Sequence, residues 1–387
     1  MTEKTKLIRI TTVPQSLKTL LKGQHQYMSN KGFEVIGVSS SGQDLEVVEK
    51  DEGIRTVSIE MSRKITPFQD LKSLWQIWCL LRREKPQMVH THTPKAGLIG
   101  MLASRLAGVP VRVHTVAGLP LMEAMGIKRK ILDVVEKLTY ACATKIYPNS
   151  KGLYDFIVNQ KYTSTSKLEI IANGSSNGID TNHFSPQQVS EESKHQLKRE
   201  LNISETDFVF VFVGRLVGDK GINELVAAFK QFDVENTKLL LVGAEERDLD
   251  PLKEDTINEI ENNKNIIAVG FQTDVRPYFA VANALVFPSY REGFPNVVMQ
   301  AGAMGLPSIV SDINGCNEII VDSVNGWIIP PKNVEELYLA MKRMLEDEIV
   351  YSDLKAQSRQ MIVGRYQQKV VWEALLNEYN KLLNEIH

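Results

Sequence analysis

Short apolar runs alternate with segments of helical periodicity along the whole chain. In the first half the apolar runs predict strands at Leu7–Thr12, Glu34–Ser39, Thr56–Ile59, Met88–His92, Val111–Thr115 and Thr144–Pro148. Between them, apolar residues three or four positions apart predict helices from Ser16, as the cap, to Gly32, at Phe68–Arg83, from Lys95 to Ala107 and at Lys128–Tyr140. Strands that alternate with helices predict a parallel sheet with helices on both faces.

The same alternation starts again after the polar stretch Ser185–Lys198. The unbroken apolar run Phe208–Val213 is typical of a strand buried on both faces. Further strands are predicted at Lys238–Val242, Ile266–Ala268, Ala284–Phe287, Ser308–Val310 and Gly326–Ile329, and the chain from Val334 onward is predicted to be mostly helical. The pattern therefore predicts an α/β protein with two doubly wound domains in series, whose facing sides form a cleft. We place the linker within Ser185–Ser204.

Composition is that of an ordinary globular protein of two domains. The 387 residues are 43% hydrophobic and 24% charged. Cys79, Cys142 and Cys316 lie far apart, which argues against a disulfide scaffold or a zinc cluster and suits a reducing compartment. The chain has no apolar run of about 18 residues or more, and its first residues lack the apolar stretch of a signal peptide. We therefore expect a cytoplasmic protein.

Charge is distributed unevenly between the two halves. Residues 1–186 contain 25 basic and 16 acidic residues, a net charge of +9, and the remainder has a net charge of −11. A basic half attracts nucleic acid, anionic lipid or phosphorylated substrates. The sequence has no long basic run and no nucleic-acid-binding motif, so no nucleic-acid partner is expected. A simple drift of charge between two domains is the alternative.

Because ligands of doubly wound sheets bind at the carboxyl ends of strands, chemistry is expected in the loops that follow them. The loop Gly214–Gly221 follows the strand Phe208–Val213 and opens a helix. Its glycines allow the backbone to approach a phosphate, and Arg215 and Lys220 have the charge to neutralise a diphosphate. The loop matches neither the P-loop nor the dinucleotide-binding fingerprint. Taken alone, it is equally a surface turn with two solvated cations.

A second candidate loop follows the strand Ala284–Phe287 and precedes a helix that is predicted to start near Pro295. It carries Glu292, and Gln300 lies eight positions further on, inside the helix. A carboxylate at a strand end can bind sugar hydroxyls, and the amides at the helix start would point into the same space. The alternative is that Glu292 only caps the helix.

Histidines at strand ends form a third candidate. Alternation along the strand places His90 and His92 on one face, a spacing that metal sites also use. No further cluster of ligands supports a metal, and a histidine that is buried in the core or lines the cleft is the favoured interpretation for His92 and His114. The turn-rich segment Asn173–Asp180 is either a plain loop or a hinge at the edge of the cleft.

Together these segments resemble glycosyltransferase family 4, the retaining GT-B enzymes that use nucleotide sugars, over nearly the whole chain. Within the family, the sequence looks most like bacterial capsule and surface-polysaccharide members. The resemblance is carried by Val89–Gly97, Asn177–Asp180, Gly214–Leu216 with Lys220 and Gly221, Pro288–Asn296, Ala301–Pro307 and Asp312–Glu318. It implies a GT-B fold with an acceptor-binding domain of residues 1–185, a nucleotide-sugar-binding domain of residues 186–365, and a C-terminal helix, 366–387, that packs back toward the first domain.

The resemblance also implies roles for matched positions. Catalytic roles fall to Arg215 and Lys220, which would hold the diphosphate, and to Glu292, which would contact donor-sugar hydroxyls. The implied donor-binding residues are Gly214, Phe271, Gly293, Phe294, Pro295, Asn296, Val297 and Gln300. The implied acceptor-binding residues are Pro14, Gln15, Ser16, His92 and His114.

Two positions depart from the family pattern. Gln300 stands where members usually carry a second glutamate that binds the ribose hydroxyls, and an amide lacks the charge. Ala117 stands where many members have a histidine that touches the donor sugar. The first departure puts the strength of ribose binding in question, and the second puts a sugar contact in question.

The function that the resemblance implies is transfer of a hexose or N-acetylhexosamine from a nucleotide sugar, with UDP favoured over GDP, to a lipid-linked or growing surface-polysaccharide acceptor. Transfer would occur with retention, without metal and without a cofactor. The basic first domain suits a lipid-diphosphate acceptor at an anionic membrane surface, where Trp75, Trp78 and the run Lys128–Lys130 would touch lipid or, alternatively, belong to the core and the solvated surface. A UDP-sugar epimerase of the same fold and a non-catalytic partner that binds nucleotide sugar remain alternatives.

Overall fold

The computed structural model describes residues 4–64, 66–119, 121, 124–232, 236–246 and 250–386. These residues form two compact units. Unit 1 comprises Met1–Gly178 together with Lys369–His387, and unit 2 comprises Ile179–Gln368. The functional domains expected from the sequence, with limits at residues 185 and 365, stay a prediction.

Unit 1 is built on a six-stranded sheet in the order β3-β2-β1-β4-β5-β6, and all neighbouring pairs are parallel. Its strands are β1 (Thr5–Ile10), β2 (Phe33–Ser39), β3 (Arg55–Ser58), β4 (Met88–Thr91), β5 (Val111–Val116) and β6 (Lys145–Pro148). The six strands predicted for this half of the chain are confirmed within two residues at each end. The central strands are apolar throughout because helices cover both faces of the sheet.

The described residues in this part of unit 1 also form seven α-helices. They are α1 (Pro14–Leu20), α2 (Gln24–Asn30), α3 (Asp44–Glu52), α4 (Pro67–Glu84), α5 (Pro94–Ala107), α6 (Gly126–Cys142) and α7 (Lys151–Asn159). The single helix predicted from Ser16 to Gly32 is wrong. The structure breaks it around Gly23, which has a φ of 79° that favours glycine, and Ser16 lies inside α1 rather than at its cap.

The last helix of the chain packs into unit 1. Trp372 donates its indole N–H to the amide oxygen of Asn177 over 2.6 Å, and its ring lies 5.3 Å from that of Tyr27. Tyr379 is fully buried and meets Phe33 edge to face. This helix, α16 (Gln368–Asn384), therefore completes the core of unit 1 on the side of α1 and α2.

Unit 2 repeats the same topology with a second parallel sheet in the order β12-β11-β10-β7-β8-β9. Its strands are β7 (Phe208–Val213), β8 (Thr237–Val242), β9 (Ile266–Ala268), β10 (Ala284–Phe287), β11 (Ser308–Ser311) and β12 (Gly326–Ile329). All six were predicted from the sequence and are confirmed. Phe210, Phe212 and Leu240 are fully buried, as expected for strands covered on both faces.

The helices from unit 2 to the end of the chain are α8 (Glu191–Glu200), α9 (Ile222–Phe229), α10 (Glu254–Asn262), α11 (Arg276–Ala280), α12 (Asn296–Ala303), α13 (Cys316–Ile319), α14 (Val334–Glu346), α15 (Glu348–Tyr366) and α16 (Gln368–Asn384). The polar stretch in which we placed the linker contains α8, capped by the side chain of Ser190. Within the described residues, no helix is both long and apolar enough to span a membrane.

Strand order locates the place where each unit is expected to bind a ligand. In both sheets the order reverses beside the first strand, between β1 and β4 in unit 1 and between β7 and β10 in unit 2. The loops that leave such a pair of strands diverge to opposite faces of the sheet and open a crevice at their carboxyl ends. The candidate loops of the sequence follow the strands at these two switch points.

Candidate active site

Two candidate loops meet at the switch point of unit 2. The loop after β7 ends in a short turn of 3-10 helix, Gly218–Lys220, and the amide of Tyr290 in the loop after β10 donates to the carbonyl of Asp219 over 2.9 Å. Gly221 adopts a φ of 72°, and a Cβ there would lie 2.2 Å from the carbonyl oxygen of Pro288. The close contact between the loops therefore depends on glycine at this position.

Lys220 and Glu292 form an ion pair across these two loops. The ammonium nitrogen lies 2.5 Å from Oε1 of the carboxylate, and the side chains are only 15% and 17% exposed. The hydroxyl of Ser289 lies 3.2 Å from the same oxygen. The structure thus brings together two of the three residues for which catalytic roles were expected.

Asn314, in the loop after β11, binds the backbone of the loop that carries Glu292. The side-chain amide of Asn314 donates to the carbonyl of Glu292 over 3.2 Å and to that of Gly293 over 2.5 Å. Cys316 is fully buried beside them, and burial, reinforced by the charge of Glu292, raises the pKa of its thiol. Asn314 was quoted only as part of a family motif, because nothing in its sequence neighbourhood indicates which carbonyl it holds.

Two further carboxylates order the loop after β7. The backbone N–H of Asp219 donates to the side-chain Oδ2 of Asp250 over 2.6 Å, and the backbone N–H of Gly218 donates to the backbone carbonyl of Asp250 over 3.1 Å. Asp219 in turn pairs with Arg291 over 2.8 Å. The sequence analysis did not identify Asp219 or Asp250 because their role depends on contacts with distant segments of the chain.

Arg215 points toward the other neighbour of β7. Its guanidinium lies 2.8 Å from Glu246, in the loop after β8, and its side chain is 47% exposed. The two loops approach closely at their glycines, since a Cβ on Gly243 would lie 1.7 Å from the carbonyl oxygen of Gly214. Arg215 is therefore held by an acidic partner on the β8 side, whereas Lys220 is held on the β10 side.

A pocket of about 220 Å³ opens beside the loops that follow β8 and β9. Its walls include Leu216, Gly243 and Gly270, with apolar side chains of α10 on the far side. Phe271 comes directly after Gly270 and is 74% exposed. The residue expected to bind the base thus lies next to a pocket at the carboxyl edge of the sheet.

The remaining candidate donor residues lie at the start of α12. Pro295 occupies the N-cap position and Asn296 the first helical position, which confirms the predicted helix start. Phe294 packs edge to face on Tyr366 at 5.5 Å, and Val297 is half-buried in the same cluster. Gln300 lies one turn further along and is half-buried.

The candidate acceptor residues lie mostly at the switch point of unit 1. The hydroxyls of Thr12, after β1, and Thr93, after β4, are 2.7 Å apart, so the two loops are joined. Of the three residues expected there, Pro14 and Ser16 are buried in the first turn of α1, and Gln15 is exposed. Of these three residues, the first turn of α1 therefore presents one polar side chain, Gln15, to solvent.

The three candidate histidines divide between the two faces of this sheet. His90 and His92 stack with ring centroids 3.9 Å apart, which confirms that they share a face. His114 lies on the opposite face, where its Nδ1 is 2.7 Å from the Thr91 hydroxyl and its ring fills the space above Gly97 of α5. Burial lowers the pKa of His114 to about 4, so it is neutral in the core. Its contact with an acceptor stays a prediction.

His92 belongs to a buried cluster of polar side chains that includes the cation Arg9. Arg9 of β1 is fully buried and donates to the hydroxyl of Tyr379, and the same hydroxyl bonds His90. Both ring nitrogens of His92 are buried, and neither has a hydrogen-bond partner among the residues that the structure describes. Burial, reinforced by the charge of Arg9, lowers the pKa of His25 to about 3 and keeps the histidines neutral. An arginine inside the apolar run of β1 was the sequence signal for this cluster, and the sequence analysis missed it.

Among the residues that the structure describes, histidine, cysteine, aspartate and glutamate side chains form no group of three that could hold a metal ion.

Comparison with known proteins identifies both halves of the chain. Residues 193–361 match the family model of glycosyl transferases group 1, and residues 25–174 match that of the glycosyl transferase 4-like domain. The first match contains the loops that carry Lys220 and Glu292, and the second contains the loop that carries His92.

Two curated relatives and one solved structure extend this finding. The chain is 32% identical over 383 residues to the capsular polysaccharide biosynthesis glycosyltransferase CapM of Staphylococcus aureus, with 98% of each chain covered. It is 29% identical over 310 residues to the UDP-Gal:alpha-D-GlcNAc-diphosphoundecaprenol alpha-1,3-galactosyltransferase of Escherichia coli, covering 78% of this chain and 77% of the relative. The crystal structure of Anabaena HepE in complex with UDP matches with a TM-score of 0.80 and 16% identity over 98% of this chain and 100% of that one.

The structural likeness shows the GT-B fold, with two parallel six-stranded sheets flanked by helices. The match with CapM extends over nearly the whole of both chains, and the two family models cover one unit each in large part. The protein therefore belongs to the glycosyltransferases that combine a glycosyl transferase 4-like domain with a group 1 glycosyl transferase domain.

Proposed function

We propose that the protein is a retaining glycosyltransferase of family 4 that transfers a sugar from a UDP-sugar to a lipid-diphosphate-linked saccharide in surface-polysaccharide synthesis. The observation that carries the proposal is the ion pair of Lys220 with Glu292 at the switch point of unit 2. The Escherichia coli relative is named for a UDP-sugar donor and a diphosphoundecaprenol acceptor, and CapM is named for capsule synthesis.

In this proposal the ion pair opens when the donor binds. The diphosphate of the donor takes the place of the carboxylate at Lys220, since both are anions that bind an ammonium through charge-assisted hydrogen bonds. Glu292 then turns to the hydroxyls of the donor sugar. Arg215 leaves Glu246 in the same way and becomes the second cation at the diphosphate.

The pocket beside the loops after β8 and β9 receives the base. Phe271 is exposed at its rim and covers the base, and the backbone around Phe294–Val297 supports the sugar and phosphates. The HepE structure contains UDP, which supports a uridine nucleotide for this fold. Gln300 contacts the ribose through its side-chain carbonyl, which accepts a hydrogen bond but carries no charge.

Transfer proceeds on one face of the sugar. The bond from the anomeric carbon to the β-phosphate oxygen breaks as the acceptor hydroxyl attacks from the same side, and the hydroxyl proton passes to the departing phosphate oxygen. Lys220 and Arg215 stabilise the negative charge that develops on the leaving diphosphate, which is electrostatic catalysis by positioned cations. A hexose or an N-acetylhexosamine is transferred without a metal. A covalent glycosyl adduct on Glu292 would contradict this mechanism.

Unit 1 supplies the acceptor site in this proposal. At its switch point the hydroxyls of Thr12 and Thr93 join the segment before α1 to the loop that carries His92. Pro14–Ser16, at the start of α1, and His92, with His114 on the opposite face of the sheet, shape the acceptor site in this proposal. The saccharide linked to a lipid diphosphate is presented at the membrane, so the protein attaches peripherally to the inner, anionic face of the cell membrane.

Thermal stability with nucleotide sugars tests the donor site first. A ligand that binds only the folded protein raises the melting temperature as its concentration rises. We expect one UDP-sugar to stabilise the wild type and to lose this effect in Lys220→Ala. Lys230→Ala is the matched control, because Lys230 also pairs with a glutamate in unit 2 but is 66% exposed, directly after the end of α9.

The same donor is then incubated with a lipid-diphosphate-linked saccharide, and the anomeric configuration of the product is determined by NMR. A product with the configuration of the donor supports the proposal, and an inverted product overturns retention. Donor binding without transfer to any acceptor indicates a non-catalytic partner. Isomerisation of the donor in the absence of acceptor indicates an epimerase.

A further inference from the structure

Helix α6 exposes an apolar stripe to solvent. Ile127, Ile131, Val134 and Leu138 are 79%, 47%, 64% and 42% exposed. Their spacing of four, three and four residues places them on one side of the helix, since side chains advance by about 100° per residue. A stripe of this kind normally faces the core of a globular protein.

The buried side of α6 lies opposite this stripe. Glu136, Thr139 and Tyr140 are buried against the rest of unit 1, and burial raises the pKa of Glu136 to about 7. A helix that buries a glutamate and a threonine while it exposes isoleucine, valine and leucine is not oriented by packing within its own unit alone. The exposed stripe therefore indicates a surface that meets another apolar phase.

Helix α4 shows the same feature. Phe68, Leu71 and Trp75 are 90%, 63% and 62% exposed and lie along one side of the helix. The buried residues Ser73 and Ile77 lie on the other side. The apolar residues of this predicted helix are thus divided between the core and the surface, because Leu81 is buried and Leu71 and Trp75 are exposed.

The two exposed stripes belong to one layer of helices. Both α4 and α6 pack against α5, on the face of the sheet that is covered by α5. Since neighbouring helices lie about 10 Å apart, the stripes run about 20 Å apart on one surface. Helix α4 follows β3 and helix α6 follows β5, so the first turn of each helix lies at the carboxyl edge of the sheet. Pro14–Ser16, in the first turn of α1, lies at the same edge.

The exposed charged side chains of α4 and α6 are all basic. Lys128, Lys130 and Lys137 flank the stripe of α6 and are exposed, as is Lys72 on α4. The acidic side chains on the same helices are neutralised or buried: Asp133 pairs with Arg129, Asp70 pairs with Lys95, Glu84 pairs with Lys6 and Arg55, and Glu136 is buried. The surface is therefore apolar with a lysine border.

We propose that this surface, formed by Phe68, Leu71 and Trp75 of α4 and Ile127, Ile131, Val134 and Leu138 of α6, docks on an anionic lipid bilayer. The apolar side chains enter the headgroup region and the lysines pair with lipid phosphates. A second copy of the chain fits less well, because a two-fold interface would place the lysine borders of α6 against each other. The inference deepens the proposed function, which leaves the site of membrane attachment open.

Vesicle flotation tests the surface without nucleotide or acceptor. The full-length protein is mixed with vesicles of phosphatidylcholine alone or of equimolar phosphatidylcholine and phosphatidylglycerol. We expect binding to the anionic vesicles only and release at high salt, because the lysine contribution is screened. Ile131→Gln/Val134→Gln should weaken binding roughly tenfold or more, since each change removes an apolar side chain that inserts. Lys128→Glu/Lys130→Glu should abolish it at every salt concentration.

Leu339→Gln/Ile349→Gln is the matched control, because these side chains are 46% and 77% exposed in unit 2, outside the surface. It should float with the vesicles like the wild type. Equal loss in this control, or no flotation of the wild type at low salt, would overturn the proposal. So would a wild-type dimer in light scattering that the α6 variant converts to monomer. Vesicle binding with no sugar transfer to any acceptor would overturn the proposed function and leave this surface intact.

Discussion

Removing the ammonium of Lys220 should affect stability and catalysis by two separable routes. The pair with Glu292 spans 2.5 Å between side chains that are 15% and 17% exposed. At an effective dielectric constant of about 20, two unit charges at this distance attract by about 7 kcal/mol, most of which is offset by the loss of hydration. Removing one partner of such a buried pair costs about 3 to 5 kcal/mol, and the remaining exposure favours the lower figure.

We therefore expect Lys220→Ala to lower the free energy of unfolding by about 3 kcal/mol in urea titrations of the donor-free protein. The loss arises because the Glu292 carboxylate stays largely buried without a cation. Lys220→Ala/Glu292→Gln removes both charges and should recover most of this stability. A double-mutant cycle of these variants should give a coupling energy of at least about 1.5 kcal/mol.

Activity should follow the opposite pattern. Lys220→Ala should lower kcat by about 100- to 1,000-fold, the usual effect of losing one group that stabilises transition-state charge. The double variant should be no more active than Lys220→Ala, although it is more stable. Additive losses of stability in the cycle would show that the pair is not coupled, and a kcat of Lys220→Ala within tenfold of the wild type would refute the diphosphate role.

Two further predictions concern other buried features. Burial raises the pKa of Glu136 from 4.5 to about 7. Between these two pH values the unfolded chain therefore binds fewer protons than the folded chain. As the pH rises through this window, the free energy of unfolding should fall by about 3 kcal/mol. Urea titrations at pH 5 and pH 8 should show this fall in the wild type and not in Glu136→Gln, and equal falls in both would contradict it. Gly243→Ala should weaken donor binding at least about tenfold in the thermal assay, because the new Cβ displaces the loop at Gly214. Gly364→Ala is the control, because a Cβ at this position on α15 would lie in open space. This control should bind the donor normally and be up to about 1 kcal/mol more stable. Normal donor binding by Gly243→Ala would show that the contact between these loops is not needed.

Much of the sheet architecture was predictable because buried parallel strands are written as unbroken apolar runs. Phe208–Val213 and Ala284–Phe287 were predicted with the limits that the structure shows. The loops that follow these strands carry Lys220 and Glu292, and the carboxyl ends of neighbouring parallel strands meet at one edge. The sequence therefore placed both residues at the same edge of the sheet, whereas their direct contact depends on β7 and β10 being neighbours in the strand order.

Helix orientation and side-chain partners were less predictable. Local periodicity does not reveal that α1 and α2 separate at Gly23. Leu17 and Leu21 are buried in the structure, and their spacing also suits one continuous helix. Nor does it show which side of an apolar helix is covered. In α6 the lysine run was identified, but the exposed stripe beside it became apparent only when the neighbouring α5 was in place.

The sequence by itself determined the succession of strands and helices along the chain, the two loops that carry the candidate chemistry and the asymmetry of charge. These features depend on composition and short-range periodicity. Only the tertiary structure decided that Lys220 pairs with Glu292 while Arg215 pairs with Glu246, and that Asn314 holds the backbone of the Glu292 loop. These partners come from segments far apart in the chain, and their distances depend on how parallel strands are ordered in the sheet. Strand order is a property of long-range packing, to which no local pattern in the sequence corresponds.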